Sequence, residues 1–391
     1  MKIGIYGGTF NPPHAGHIKA AGDAVRVLNL DKLLVIPTAT PPHKELPAGS
    51  APAEKRLEMA RLAFGCVDKA EVCDIELARG GRSYTVDTVA ALREQYPGAE
   101  LWLVMGGDMF FGLTDWYRFE TLLTQVGFAV ADRADESEKL QEYAEHMRRD
   151  LGAKVQFIPE RPVEISSTEL RRLLENAEGR ELLSPEVYAY IIKNRMYGAK
   201  AQLDWLRENA IEMLAPKRVP HVLGCEQEAV RLAQHWGEDV YSAAVAGILH
   251  DITKKCSANE QLILCEKYGT VTDALELEEP KLLHSKTAAD MAWAEFGISP
   301  EVREAIRWHT TGKADMTMLE KIIYMADYME PNRDFEGVEE LRRLAYEDMD
   351  MALRMGLRMS MDDMKARNIV PHPRSLGALE YIEKRLEERG L

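Results

Sequence analysis

The chain has 391 residues, with 49 Lys and Arg against 64 Asp and Glu for a formal charge of −15, and 46% of it is hydrophobic. That length exceeds the ~100–200 residues of one domain and predicts two. Splitting after Gly198 gives 24 − 29 = −5 and 25 − 35 = −10, so neither part carries the broad basic surface that nucleic acid requires.

No apolar run approaches the ~18 residues of a membrane span, and the opening MKIGIYGG lacks the apolar core of a secretory signal. Five cysteines without a CxxC pair argue against a disulfide framework. The expectation is a cytoplasmic protein with reduced thiols that binds neither nucleic acid nor membrane. Homo-oligomerisation is left open.

In chain order, KIGIY, KLLVIP, LWLVMG, GFAVA and KVQFIP predict buried parallel strands. EKRLEMARLAF and TVDTVAALREQY between them have helical spacing, so an α/β domain with a Rossmann-like parallel sheet is expected over 1–198. From about residue 200 the strand signal ends. QLDWLRENAIEMLA, EQEAVRLAQHW, DVYSAAVAGILHDITKK, SKTAADMAWAEF, EVREAIRWH, MLEKIIYMADYM, ELRRLAYEDMDMALRMGLRMSMDDM and LGALEYIEKRLEERG predict an all-α domain over 200–391. The polar, Gly-containing NRMYGAKAQ is expected to be a short linker.

The first strand runs into GGTFNPPHAGHIKAA. Gly7 and Gly8 let backbone approach a ligand, Pro12 and Pro13 stiffen the loop, and a helix starting near His14 offers free N–H groups to an anion. His14 and His17 are three apart and share a helix face, where two imidazoles can donate to a phosphoryl group. Two polar residues capping a helix, or half of a metal site, fit the same spacing. Further on, ISSTELRRLL opens a second helix with Ser166, Ser167 and Thr168, and Arg171 adds a phosphate-binding guanidinium. By itself this segment reads as an ordinary capped surface helix.

Together GGTFNPPHAGH and ISSTELR resemble the nucleotidyltransferase superfamily with its HxGH motif. More closely, residues 1–198 resemble bacterial nicotinate mononucleotide adenylyltransferases, also through PTATPPHK, RSYTVDT, MGGDMFFGLTDW and SPEVYAYI. The resemblance implies transfer of AMP from ATP to nicotinate mononucleotide, giving deamido-NAD and pyrophosphate, with Mg²⁺ accompanying ATP. It assigns ATP to Gly7, Gly8, Thr9, Phe10, His14, His17, Asp108, Ser166, Ser167, Thr168 and Arg171, with His17 nearest the α-phosphate and Asp108 on a ribose hydroxyl. It assigns the nicotinate nucleotide to Lys44, Thr85, Trp116 and Arg133. Lys44 also serves as a catalytic cation. Pantetheine-phosphate and cytidylyl transfer are the alternatives within the superfamily.

The second half carries His221, the adjacent His250 and Asp251, His284, His309 and Asp327, separated by 29, 33, 25 and 18 residues. Helices that each donate inward His or carboxylate groups commonly build metal sites. Four imidazoles and two carboxylates suit two ions bridged by Asp251. ILHDITK places His-Asp directly in an apolar helix, and a buried charged pair needs a partner or a metal. Lys254 can reach the same cavity, although a solvated helix end would also explain it. His43, His146, His235 and His372 are read as ordinary surface or satisfied core residues.

KRVPHVLG, AGILHDITK, LLHSKTAA, IRWHTTG and LEKIIYMADYMEPNRDFEGV resemble the HD phosphohydrolase superfamily, and more closely the HD-type symmetrical diadenosine tetraphosphatases. This implies two divalent transition metals (iron favoured; manganese, cobalt or zinc compatible) and release of two ADP from diadenosine tetraphosphate. Lys254 and Arg333 would hold the polyphosphate, with Lys254 also a catalytic candidate; Arg218 is a further candidate or a surface charge. The alternatives are a nucleotide-sensing regulatory module, or hydrolysis of another nucleotide polyphosphate or a cyclic nucleotide.

Overall fold

Among the described residues (1–40, 46–132, 137–159 and 165–391 of the computed structural model), six strands form one sheet. They are β1 Lys2–Gly8, β2 Lys32–Pro37, β3 Ala70–Val72, β4 Glu100–Gly106, β5 Gly127–Asp132 and β6 Val155–Pro159. The order is β3-β2-β1-β4-β5-β6, and every pairing is parallel. Ile3 stands opposite both Lys32 of β2 and Leu101 of β4. Ile5, Val35, Leu103, Phe128 and Val130 are buried, as expected when helices cover both faces of a parallel sheet. β3 has no counterpart among the sequence-derived strands. It is three residues long, lies at an edge and contains no buried residue, so it shows no apolar run.

The chain divides into two compact units, Met1–Lys200 and Ala201–Leu391. In the first, the strand order reverses between β1 and β4, which makes the carboxyl ends of those strands a switch point where open α/β sheets bind ligands. The boundary between the units falls within NRMYGAKAQ, the segment expected as a linker, whose residues up to Lys200 belong to the first unit. Met196–Gly198 is a single 3-10 turn with Met196 and Tyr197 buried, because the Tyr197 hydroxyl finds a partner in the loop after β1.

The second unit is helical. His250 is not inside a helix as expected: helix Val240–Leu249 ends there, His250 is its C-cap, and Asp251 to Lys254 lie in the turn that follows. The long helix expected over 340–364 is two, Val338–Glu347 and Met349–Ala366. Asp348 is extended between them, and its carboxylate accepts the N–H groups of Asp350 and Met351 at 3.0 and 3.1 Å, starting a new helix. Helix Val219–Trp236 and helix Val240–Leu249 approach so closely that a Cβ at Gly247 would lie 2.7 Å from Glu226 Cα. Among the described residues no helix is long and apolar enough to cross a membrane.

Candidate functional site

The loop after β1 turns sharply at Phe10, whose φ is +46°. Its ring is buried, 5.2 Å edge-on from the rings of both His17 and Phe64. The side chain of Phe10 therefore backs His17 and leaves only its main chain to meet a ligand. A Cβ on Gly8 would stand 2.9 Å from that ring, so the loop can fold over Phe10 only with glycine there.

His14 is the N-cap of helix Ala15–Leu28 and His17 lies in its first turn. Their ring centroids are 3.8 Å apart. The main-chain N–H of His14 donates to His17 Nδ1 at 3.2 Å. Burial lowers His14 to about 4; burial, then the neighbouring His14, lowers His17 to about 3. Both rings are neutral at pH 7.

The second motif docks on this loop. Ser166 caps helix Ser167–Glu175 by accepting the Glu169 N–H at 3.1 Å. Ser167 Oγ donates to Pro12 O at 3.0 Å, Arg171 Nη1 to Asn11 O at 2.7 Å, and Arg171 Nη2 to Thr168 Oγ1 at 3.2 Å. The histidines and the hydroxyl-rich helix start are thus brought together. Asp108 is exposed in the first turn of helix Gly107–Phe111, immediately after β4. Thr85 begins helix Thr85–Gln95 and Trp116 is half-buried after the turn Leu113–Asp115. Their segments meet through Tyr84 and Tyr117, with ring centroids 4.7 Å apart. Lys44, Arg133 and His43 lie outside the described residues.

Two supporting residues escaped the sequence reading. Arg56 is 1% exposed, and its guanidinium donates to Thr9 O (2.8 Å), Thr38 O (2.7 Å), Ala39 O (3.0 Å) and Ala51 O (3.2 Å). It ties the loop after β1 to the loop after β2. Asn11 Oδ1 accepts from the Tyr197 hydroxyl at 2.8 Å and from Ala51 N at 3.2 Å, while its amide donates to Ser50 Oγ at 2.7 Å.

In the second unit the six predicted ligands converge. His221 comes from helix Val219–Trp236, His284 from helix Leu283–Glu295 and Asp327 from helix Met318–Met329. His309 is the C-cap of helix Pro300–Trp308. Asp251 is central: Oδ2 lies 3.8 Å from His221 Nε2 and 3.6 Å from His250 Nε2. Its Oδ1 lies 3.4 Å from His284 Nε2 and 3.6 Å from His309 Nε2. Asp327 Oδ1 is 3.0 Å from His221 Nε2 and 3.8 Å from His250 Nε2.

The opposite ring nitrogens face outward. Nδ1 of His250, His284 and His309 lies 2.7–2.8 Å from the carbonyls of Gly247, Lys281 and Ile306. This fixes the tautomer that leaves Nε2 lone pairs pointing inward. Nε2 of His221 and His250 and Oδ1 of Asp251 are buried without a hydrogen bond, the condition in which cations complete a site. Burial pushes His250 and His284 well below the usual histidine range and His309 to about 4. Burial opposes ionisation of Asp327, but His221 Nε2 at 3.0 Å and the surrounding imidazoles hold it well below the carboxylate range. Three overlapping groups of these donors could hold a divalent ion: His221–His250–Asp251, His250–His309–Asp327 and Asp251–His284–His309.

Cations frame this cluster. Arg218 pairs with Asp251 Oδ2, Arg333 Nη2 lies 3.3 Å from Asp327 Oδ1, and Lys254 Nζ is 2.8 Å from His284 Nε2. Burial pushes Lys254 down to about 8. His146, in contrast, is exposed and paired with Asp150 at 2.6 Å. His372 caps the last helix by accepting the Arg374 N–H at 3.1 Å.

A doubly wound sheet with paired histidines at its switch point, followed by helices converging on a His-Asp cluster, defines a nucleotidyltransferase unit joined to an HD unit. The cytidylyltransferase-like family matches residues 5–173 and the HD-domain family residues 218–332. A Pelobacter propionicus protein named "Probable nicotinate-nucleotide adenylyltransferase" is 38% identical over 215 residues, covering 50% of this chain and 98% of that protein. Its namesake from Shouchella clausii is 37% identical over 198 residues, covering 50% and 97%. A crystal structure from Clostridium acetobutylicum, described as a predicted HD superfamily hydrolase involved in NAD metabolism, is 36% identical with a TM-score of 0.45. It covers 46% of this chain and 97% of that one. Through its first half the chain belongs to the nicotinate-nucleotide adenylyltransferase family.

Proposed function

We propose that the chain is a bifunctional enzyme. Residues 1–198 transfer AMP from ATP to nicotinate mononucleotide: a phosphate oxygen of the mononucleotide attacks the α-phosphorus of ATP, the bond to the β-phosphate oxygen breaks, and pyrophosphate leaves. The observation carrying this is the His14–His17 pair. With Nδ1 of His17 occupied as an acceptor, its proton resides on Nε2 and can be donated to a phosphoryl oxygen as charge develops. Arg171 and the Ser166–Thr168 hydroxyls, docked on the same loop, serve the phosphates. Asp108, Thr85 and Trp116 serve ribose and pyridine, and Mg²⁺ accompanies ATP.

Residues 200–391 hydrolyse diadenosine tetraphosphate symmetrically to two ADP, with Lys254, Arg333 and Arg218 holding the polyphosphate. This is supported by the two-sided use of Asp251 by four imidazoles. Bound divalent ions, iron among the fitting metals, would lower the pKa of water and neutralise phosphoryl charge. The four histidines and two aspartates would hold them.

The deciding experiment supplies metal-reconstituted protein with diadenosine tetraphosphate and separates the products. ADP alone, lost in Asp251→Ala, is expected. ATP with AMP would overturn the symmetrical cleavage. The absence of turnover with iron, manganese and cobalt, together with altered transferase kinetics in Asp251→Ala, would make the HD unit a sensing module. Formation of deamido-NAD from ATP and nicotinate mononucleotide tests the first unit separately.

A further inference from the structure

Of the four inward-facing imidazoles, three are held from behind by main-chain carbonyls. His221 is held by a carboxylate, its Nδ1 lying 3.2 Å from Glu330 Oε1. Glu330 is 1% exposed, and its other oxygen accepts Asn332 N–H at 2.7 Å and the Asn332 amide at 2.8 Å. That amide also donates to the carbonyl of Pro220, the neighbour of His221, at 3.1 Å. Arg333 Nε stands 3.9 Å from Oε1. Gly224, one turn beyond His221 on the same helix, makes the room: a Cβ there would lie 2.3 Å from Glu330 Oε2 and 2.8 Å from the Asn332 amide nitrogen.

A carboxylate behind a ligand imidazole fixes its ring and strengthens its donation to a metal. The two halves of the cluster also differ in donors. The His221 side offers two carboxylates, Asp327 and Oδ2 of Asp251, paired with Arg333 and Arg218, whereas the His284–His309 side has only Oδ1 of the shared Asp251, with the Lys254 ammonium 2.8 Å from His284 Nε2. We propose that Glu330 is a positioning residue that makes His221–His250–Asp251–Asp327 the first and tighter of two divalent-cation sites, the His284–His309 side being the weaker one. This rests on the dinuclear reading above.

The test is Mn²⁺ titration of the full-length, metal-stripped protein, reading free Mn²⁺ by electron paramagnetic resonance and following the fold by circular dichroism. Wild type is expected to bind two ions, the first at least about tenfold tighter, and Glu330→Gln to weaken the first by roughly 10–100-fold. Gly224→Ala and Asn332→Ala, which displace or release Glu330 while keeping its carboxylate, weaken the same ion by less; they carry the test if Glu330→Gln does not fold. His309→Ala removes the weaker ion and leaves the tighter one. Equal affinities in wild type, or an unchanged first ion in all three Glu330-directed variants, overturns the proposal with the dinuclear site intact. Uptake of fewer than two ions by wild type overturns the dinuclear reading and the ordering with it.

Discussion

The main-chain N–H of His14 donates to Nδ1 of His17 across 3.2 Å, so the helix N-terminus decides which nitrogen of the His17 ring carries the proton. Replacing His17 by Ala removes one donor to the phosphoryl oxygens and is expected to lower kcat for deamido-NAD formation by about 10²–10³, with a smaller change in the KM for ATP. Steady-state kinetics check this. A kcat within a factor of about two of wild type would remove His17 from the transition state.

Protonation follows from the same burial. His14 and His17 hold values of about 4 and about 3 when folded, against ~6.5 in an unfolded chain. As pH falls from 6.5 towards 4 the unfolded chain takes up protons that the folded chain refuses, so these groups lose stability for the fold over that window and cost none above it. Urea unfolding of the first unit at pH 7.5 and pH 5 should show a smaller pH-dependent loss in His17→Gln than in wild type. Equal losses would contradict the neutral, buried pair.

Arg56 is the second pressure point. Its guanidinium satisfies four main-chain carbonyls around the loops after β1 and β2, and Arg56→Ala leaves them buried and unmet. A destabilisation of about 3 kcal/mol or more is expected, with roughly half of it for Arg56→Lys, which keeps the charge and loses the fork. Thermal unfolding of the first unit measures it; a change below about 0.5 kcal/mol would make the network incidental.

Metal removal should separate the two activities. Chelation followed by Mg²⁺ alone is expected to leave deamido-NAD synthesis working and to abolish tetraphosphate hydrolysis. It should also lower the melting temperature of the helical unit, since ions bound to the folded state stabilise it. Asp251→Asn should mimic chelation on all three measures. An unchanged melting temperature in both cases would argue against ions in the cluster.

Much of the chemistry was legible because it sits in local runs of unusual residues. Glycine, proline and histidine crowd GGTFNPPHAGH, and hydroxyls precede the helix at Ser166. The six residues proposed as metal ligands each stand out against apolar helical sequence. Supporting residues were not legible, since their partners are far away in sequence. Arg56 lies among Glu54, Lys55, Glu58 and Arg61 and looks like one more solvated charge, although it is buried under the loops. Glu330 meets His221 from 109 residues downstream. Tyr197 looks like part of a linker because Asn11, which accepts its hydroxyl, is 186 residues earlier. The helix stop at His250 was hidden for another reason. Ile248 and Ile252 keep helical apolar spacing across His250 and Asp251, whereas the helix ends at Leu249 and the following turn places Asp251 among the four imidazoles.

The docking of Ser167 on Pro12 and Arg171 on Asn11 spans 155 and 160 residues of chain. Within this unit the β1 loop leaves the ribosome before the other strands, and helix Ser167–Glu175, which docks on it, is among the last parts of the unit to be synthesised. All six strands precede Ser166, so a nascent chain can complete its sheet while the nucleotide loop is still open. Such long-range closures are the slow ones in folding. Competence to bind nucleotide is therefore acquired late in synthesis, and a chain broken off after β6 would have a full sheet and no finished site.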